Sequence, residues 1–219
     1  MEGCRDSWSL AKKDDGRIKK AEYIRIRRTS YNGRYQICIR LNTKVMIGII
    51  NSSPLIYLSK IGALPFLPKL FIECYTTLIV KEEVLSDEKE PEFYVLKESF
   101  SSWLSIKEPT NQQLVKRLKE LNIHTGEASV IALAKELQDK SDEIVMIIDD
   151  LAAREIARTL DLKVTGTIGV LIKSLYLKFI TEEKCKNFLH ILVENTTFRI
   201  SAALFSKILK EIEKIHDKS

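Results

Sequence analysis

The residues with most chemical content here are one amide and a few acids, placed where apolar runs stop. Asn51 follows the run 45–50, and the adjacent acids Asp149 and Asp150 follow the run 144–148. Glu127 stands within Gly126-Glu127-Ala128, and Glu82 and Glu83 form a second acidic pair. Oxygen donors gathered at strand ends suit a divalent cation. Two neighbouring carboxylates repel each other, and a bound cation would relieve that repulsion. The same residues also have a plainer reading. An aspartate that precedes a helix caps it, and a glutamate in a first helical turn is favoured by the dipole. One acid at each place is explained that way, whereas the Asp149-Asp150 pair asks for more. Judged on their own helix, Glu82 and Glu83 read as solvated. Ser53 reads as a helix cap, and His124 as a surface or core histidine rather than a general base.

The elements that must position these residues can be read from periodicity. Continuous apolar runs at 45–50 and 144–148 are those of strands covered on both faces. Strands alternating with helices indicate a parallel α/β sheet, whose ligands gather outside the carboxyl ends of the strands. Ser53-Pro54 predicts a helix start and Gly62 its stop. Further strands are expected at 70–75, 103–106 and 162–164. Helices are expected at 77–85, after a Thr110 cap, at 127–138, through Ile156 and Leu160, after Thr167, and at 182–194 and 202–216. The last is amphipathic through Leu204, Ile208, Leu209, Ile212 and Ile215, a face that serves either a dimer or the chain's own sheet. Residues 86–101 read as a charged loop.

Ahead of this domain the chain changes character. Residues 1–44 carry twelve Lys/Arg and five acids, a net of +7 against +5 for the whole chain, so the rest is slightly acidic. Such a basic extension either attracts polyanions or simply keeps the segment soluble. Residues 1–20 read as a flexible lead-in. Ile24 and Ile26 alternate with arginines, Asn32-Gly33 offers a type I′ turn, and Ile37, Ile39 and Leu41 alternate again, which predicts a hairpin. The expected division is therefore an extension at 1–44 and an α/β domain at 45–219. No apolar run is long enough to span a bilayer and no secretory h-region is visible, so a cytoplasmic location is expected, away from membranes. The scattered Cys4, Cys38, Cys74 and Cys185 form no CxxC and read as incidental thiols.

Five strings then occur in order: Ile50-Asn51-Ser52-Ser53-Pro54-Leu55-Ile56, Tyr57-Leu58-Ser59-Lys60-Ile61-Gly62, Gly126-Glu127-Ala128, Ile148-Asp149-Asp150-Leu151-Ala152-Ala153-Arg154 and Val164-Thr165-Gly166-Thr167-Ile168-Gly169-Val170-Leu171. Together they resemble a prokaryotic branch of the PIN-domain family related to the VapC-type toxin ribonucleases. The resemblance implies a three-layer α/β/α sandwich around a mostly parallel sheet, with Mg²⁺ or Mn²⁺ held by acids for hydrolysis of RNA. It puts the metal positions on Asn51, Glu83 (with Glu82 as alternate), Glu127 and Asp149, with Asp150 alongside. Glu83, Glu127 and Asp149 become the catalytic candidates. Asn51 departs from the pattern, because a neutral carbonyl oxygen stands where a carboxylate is expected and the site loses one negative charge.

The function implied is a metal-dependent ribonuclease, as the toxin of a toxin–antitoxin pair. Its alternative is a catalytically weak module that binds nucleic acid or a protein. Expected partners are RNA, an antitoxin protein and a second copy of the chain. Residues Thr29-Ser30-Tyr31-Asn32-Gly33-Arg34 also resemble the AbrB-type swapped hairpin, without its usual proline after the second strand. That likeness would let the extension bind DNA, through Arg25, Arg27, Arg28 and Arg34.

Overall fold

A computed structural model of the chain describes residues 7–10, 23–31, 34–38, 46–139 and 143–217. The chain divides into two compact units, Met1–Val45 and Met46–Ser219. In the first, strands β1 (Ser7–Leu10), β2 (Tyr23–Tyr31) and β3 (Arg34–Cys38) form an antiparallel sheet in that order. The β2–β3 register ends on Tyr31 opposite Arg34, leaving Asn32-Gly33 between them. Asn32, Gly33, Ile39 and Leu41 lie outside the described residues. Strand β1 corrects the reading of 1–20 as a flexible lead-in, since Trp8 pairs with Arg25 and Leu10 with Tyr23. Arg27 sits opposite Cys38 and Arg28 opposite Ile37.

The second unit is built on five parallel strands: β4 (Ile47–Ile50), β5 (Glu73–Thr76), β6 (Leu104–Ile106), β7 (Ile144–Ile147) and β8 (Lys163–Thr165), ordered β6-β5-β4-β7-β8. From β4 the chain steps outward to β5 and β6, then returns past β4 to β7 and β8. With right-handed crossovers, this sends α1 (Ser52–Lys60), α2 (Leu67–Leu70), α3 (Leu78–Val84) and α4 (Phe93–Ser102) to one face. The opposite face receives α5 (Gln112–Glu120), α6 (Thr125–Gln138) and α7 (Leu151–Thr159). Helix α8 (Thr167–Tyr176) packs on α1 and α2, and α9 (Glu182–Glu194) and α10 (Ala202–Asp217) pack on α8. The result is an α/β/α sandwich.

The central strands are apolar on both sides because both sides are covered: Ile49, Ile50, Met146 and Ile147 are fully buried. Gly48 is required in β4, where a Cβ would stand 2.9 Å from the Phe71 ring. Helix α1 stops in a Schellman turn. Gly62 adopts φ +70, its N–H bonds Ser59 O at 3.0 Å, and the Ala63 N–H bonds Leu58 O at 2.7 Å. On α10, Ile208 and Ile212 are buried in the chain's own core, so that apolar face serves the fold. Cys74 and Cys185 are free and buried, and burial pushes their thiols up to about 12 and about 11. No helix among the described residues is long and apolar enough to cross a membrane.

Several expected boundaries move. Residues 86–101, read as a loop, contain most of α4, whose Phe93, Leu96 and Ser99 are buried. Residues 64–70 form a 3-10 turn followed by α2, so the second strand begins at Glu73 instead of residue 70. Asn111 rather than Thr110 caps α5, its side chain accepting the Leu114 N–H at 2.9 Å.

Candidate metal centre at the carboxyl edge of the sheet

Strands β4 and β7 are neighbours from which the chain departs to opposite sides, and at such a switch point open α/β sheets bind ligands outside the carboxyl ends of the strands. Ile50 is in register with Ile147, and the Asn51 N–H donates to Ile147 O at 3.0 Å. Asn51 takes the N-cap position of α1, with extended backbone, but its side chain makes no capping bond. Ser53, expected to cap, lies inside the helix. The Asn51 side chain is 1% exposed and its Oδ1 finds no partner among the described residues. An asparagine at this place normally accepts a first-turn N–H. A buried acceptor left unmatched costs about 1–3 kcal/mol.

The aspartate pair behaves as two unlike residues. Asp150 caps α7, with Oδ1 accepting the Ala153 N–H at 2.8 Å, and is otherwise exposed. Asp149 turns toward α8. Its Oδ1 accepts the Thr167 N–H at 2.8 Å, and its Oδ2 accepts the Thr167 hydroxyl at 2.5 Å. Arg154 lies beside it, donating through Nη1 to Ile148 O at 3.0 Å. Gly166 makes this approach possible, because a Cβ there would meet Asp149 Oδ1 at 2.6 Å and Arg154 Nη1 at 2.7 Å. Burial raises the Asp149 carboxyl above its ordinary range, while the two Thr167 bonds and the Arg154 charge pull it back.

Glu127 is half-buried in the first turn of α6, behind the N-cap residue His124. The His124 N–H bonds its carboxylate, which is half of a capping box. Burial raises its affinity for a proton, and the charge of Asp150 raises it further. The His124 bond and charge oppose both effects, and Glu83 adds a smaller push upward. Glu83 is the member of its pair that reaches this place: its Oε2 stands 3.2 Å from where a Cβ on Gly126 would lie. Glu127 therefore feels both Asp150 and Glu83, whereas Asp149 is held by Thr167 and Arg154. Among the described residues no three His, Cys, Asp or Glu side chains stand ready as a metal cage. The first unit's Arg25, Arg27, Arg28 and Arg34 have strand positions but no described side chains.

Sequence reasoning passed over a set of buried hydroxyls at this edge. Thr76 donates to Ile50 O at 2.7 Å, just before Asn51. The Thr77 and Ser129 hydroxyls meet at 2.7 Å, and Ser129 also donates to Gly126 O at 2.7 Å. Thr76, Thr77 and Thr167 are 0% exposed and Ser129 2%. The available signal was position: Thr76-Thr77 stand at the junction of the expected strand 70–75 and helix 77–85, and Thr167 follows Gly166 in a string already marked.

A family profile described as a PIN domain matches residues 47–214. A search of curated proteins finds no match. The matched segment contains the whole five-stranded sheet and every acid discussed above, and on that ground the chain belongs to the PIN-domain family, a nuclease-type fold.

Proposed function

We propose that this PIN domain is a ribonuclease that works with Mg²⁺ or Mn²⁺ at the carboxyl edge of its sheet. The observation that carries the reading is Asn51 Oδ1, a buried acceptor with no partner at the end of β4. The donor set fits a hard cation, since Asn51, Glu83, Glu127, Asp149 and Asp150 offer oxygen only. A cation would satisfy the orphaned oxygen and relieve the repulsion that Asp150 and Glu83 exert on Glu127. Closing a cage from these groups requires waters and rotation of the exposed Glu83 and Asp150 side chains. Bound there, the cation supplies an activated water and offsets charge developing on the scissile phosphate.

The chain's own residues then divide the work. Asn51 and Asp149 fix the strand-end positions, while Glu127 and Asp150 supply negative charge that draws in the cation. Glu83 extends that charge from α3 and serves with Glu127 and Asp149 as a catalytic candidate. The basic first unit, through Arg25, Arg27, Arg28 and Arg34, attracts the phosphate backbone, so binding weakens as salt rises. Full-length protein with Mn²⁺ or Mg²⁺ should cleave RNA, and Glu127→Gln or Asp149→Asn should lower the rate by about 100-fold or more. Equal cleavage by wild type and both variants would sink the reading.

One observation favours a second reading, a binding module with little catalysis. Asp149, Asp150 and Glu127 each already cap a helix end. Metal titration by calorimetry separates the two readings, because a binding module need show no affinity for Mn²⁺ or Mg²⁺. The toxin role, an antitoxin partner, a homodimer and DNA binding by the first unit belong to this proposal as its biological setting. Size-exclusion and DNA retention by full-length protein, against a chain lacking residues 1–44, test the last two.

A further inference from the structure

The buried hydroxyls at the carboxyl edge have a pattern. Each hangs one ligand-bearing segment from a neighbouring element. Thr76, ending β5, holds Ile50 O and so fixes where Asn51 leaves β4. Thr77, opening α3, meets Ser129 on α6, and Ser129 in turn holds Gly126 O, the carbonyl beside Glu127. Thr167, opening α8, grips both oxygens of Asp149. A core that only needed packing would fill these fully buried places with Val or Ala, whose shapes are close to those of Thr and Ser. Buried hydroxyls are retained where a hydrogen bond fixes a direction that packing alone leaves free.

We infer that Thr76, Thr77, Ser129 and Thr167 are positioning residues that orient Asn51, Glu127 and Asp149 toward the bound cation. Thr167 is the dominant one, because it alone touches a ligand carboxylate directly. Arg154 completes its clasp by fixing Ile148 O, one residue before Asp149. Carboxylate ligands are aimed by their outer hydrogen bonds, and losing such a bond typically weakens metal binding roughly 10–100-fold. The inference rests on the metal reading above, but it assigns work to residues that reading does not use.

The test is a calorimetric Mn²⁺ titration of full-length wild type, Thr167→Val and Thr167→Ser, with thermal melts in EDTA alongside. Thr167→Val keeps the shape and the backbone bond to Asp149 and loses only the hydroxyl. Its Mn²⁺ dissociation constant should rise roughly 10-fold or more, while Thr167→Ser stays within about 3-fold of wild type. A purely structural threonine would lower the melting temperature in EDTA and leave that constant unchanged. Ser129→Ala and Thr76→Val should weaken Mn²⁺ in the same direction but less, since they act through backbone. If Thr167→Val no longer melts cooperatively, these two variants decide the matter. Unchanged affinity in Thr167→Val, or equal loss in Thr167→Ser, overturns the inference while leaving the metal reading intact. Wild type that takes up no Mn²⁺ overturns both.

Discussion

Asp149 and Asp150 are adjacent in sequence and stand at the same strand end, yet they face different surroundings. On the Asp149 side everything is matched: two bonds from Thr167, a neighbouring Arg154, and a glycine that admits the approach. On the Asp150 side, charge accumulates. Asp150 and Glu83 both push on Glu127, and at the end of the neighbouring strand β4 Asn51 Oδ1 is buried without a donor. Bonds to a charged acceptor contribute about 1.5–3 kcal/mol each, so the first side is a stabilising clasp. On the proposed reading a cation would relieve the second side, while the clasp fixes the strand end that carries both aspartates.

Alanine at each aspartate in turn, followed by urea melts in EDTA, separates the two sides. Asp149→Ala orphans a buried N–H and a buried hydroxyl and should lose about 2–3 kcal/mol. Asp150→Ala loses a helix cap of about 1 kcal/mol, partly offset by relief at Glu127. Equal losses would show that the two sides do not differ. A smaller effect sharpens the role of Asn51. Asn51→Asp should destabilise the metal-free chain by on the order of 1–2 kcal/mol, because it puts a carboxylate in a buried place without a partner. The same variant should bind Mn²⁺ more tightly and recover its stability when Mn²⁺ is added. A variant neutral in both respects would mean that Oδ1 faces away from the site.

The smallest effect concerns Glu127. Its carboxyl is raised in the folded chain, so the fold holds that proton more firmly than the unfolded chain does. The associated stability is present at low pH and is lost as pH rises from the ordinary carboxylate value through the raised one. Glu127→Gln keeps an acceptor for the His124 N–H and removes the charge. In EDTA at neutral pH it should be more stable than wild type, by up to about 1 kcal/mol after solvent screening. Below the carboxylate range the difference should vanish, and excess Mn²⁺ should reverse the order. A Glu127→Gln chain less stable than wild type in neutral EDTA would remove the repulsion from the account.

The central strands were readable because uninterrupted apolar runs such as 144–148 have few other destinies. Gly62 marked its own helix end through a backbone conformation that other residues resist. Helix α4 was not readable. Its inward stripe is thin, and the buried Glu92 that precedes it is balanced by Lys60 from α1 at 3.1 Å, a partner distant in sequence. Strand β1 is four residues long and defined by its pairing with β2, which no local pattern announces. At the candidate site, what was legible was placement: β4 and β7 bring the strand-end residues Asn51 and Asp149 to the same edge of the sheet. The division of labour within the aspartate pair was invisible, because it depends on which way each carboxylate turns. Thr167 escaped notice for the same reason: its hydroxyl matters only through an aspartate eighteen residues earlier.

A crystal of the full-length chain soaked in Mn²⁺ and measured at the manganese edge tests the central claim most directly. One anomalous peak should appear beyond the carboxyl ends of β4 and β7, coordinated by Asn51 Oδ1 with Glu127 and the Asp149-Asp150 strand end. Manganese bound elsewhere, or no peak there while Asn51 Oδ1 stays unmatched, would contradict a metal centre at this edge.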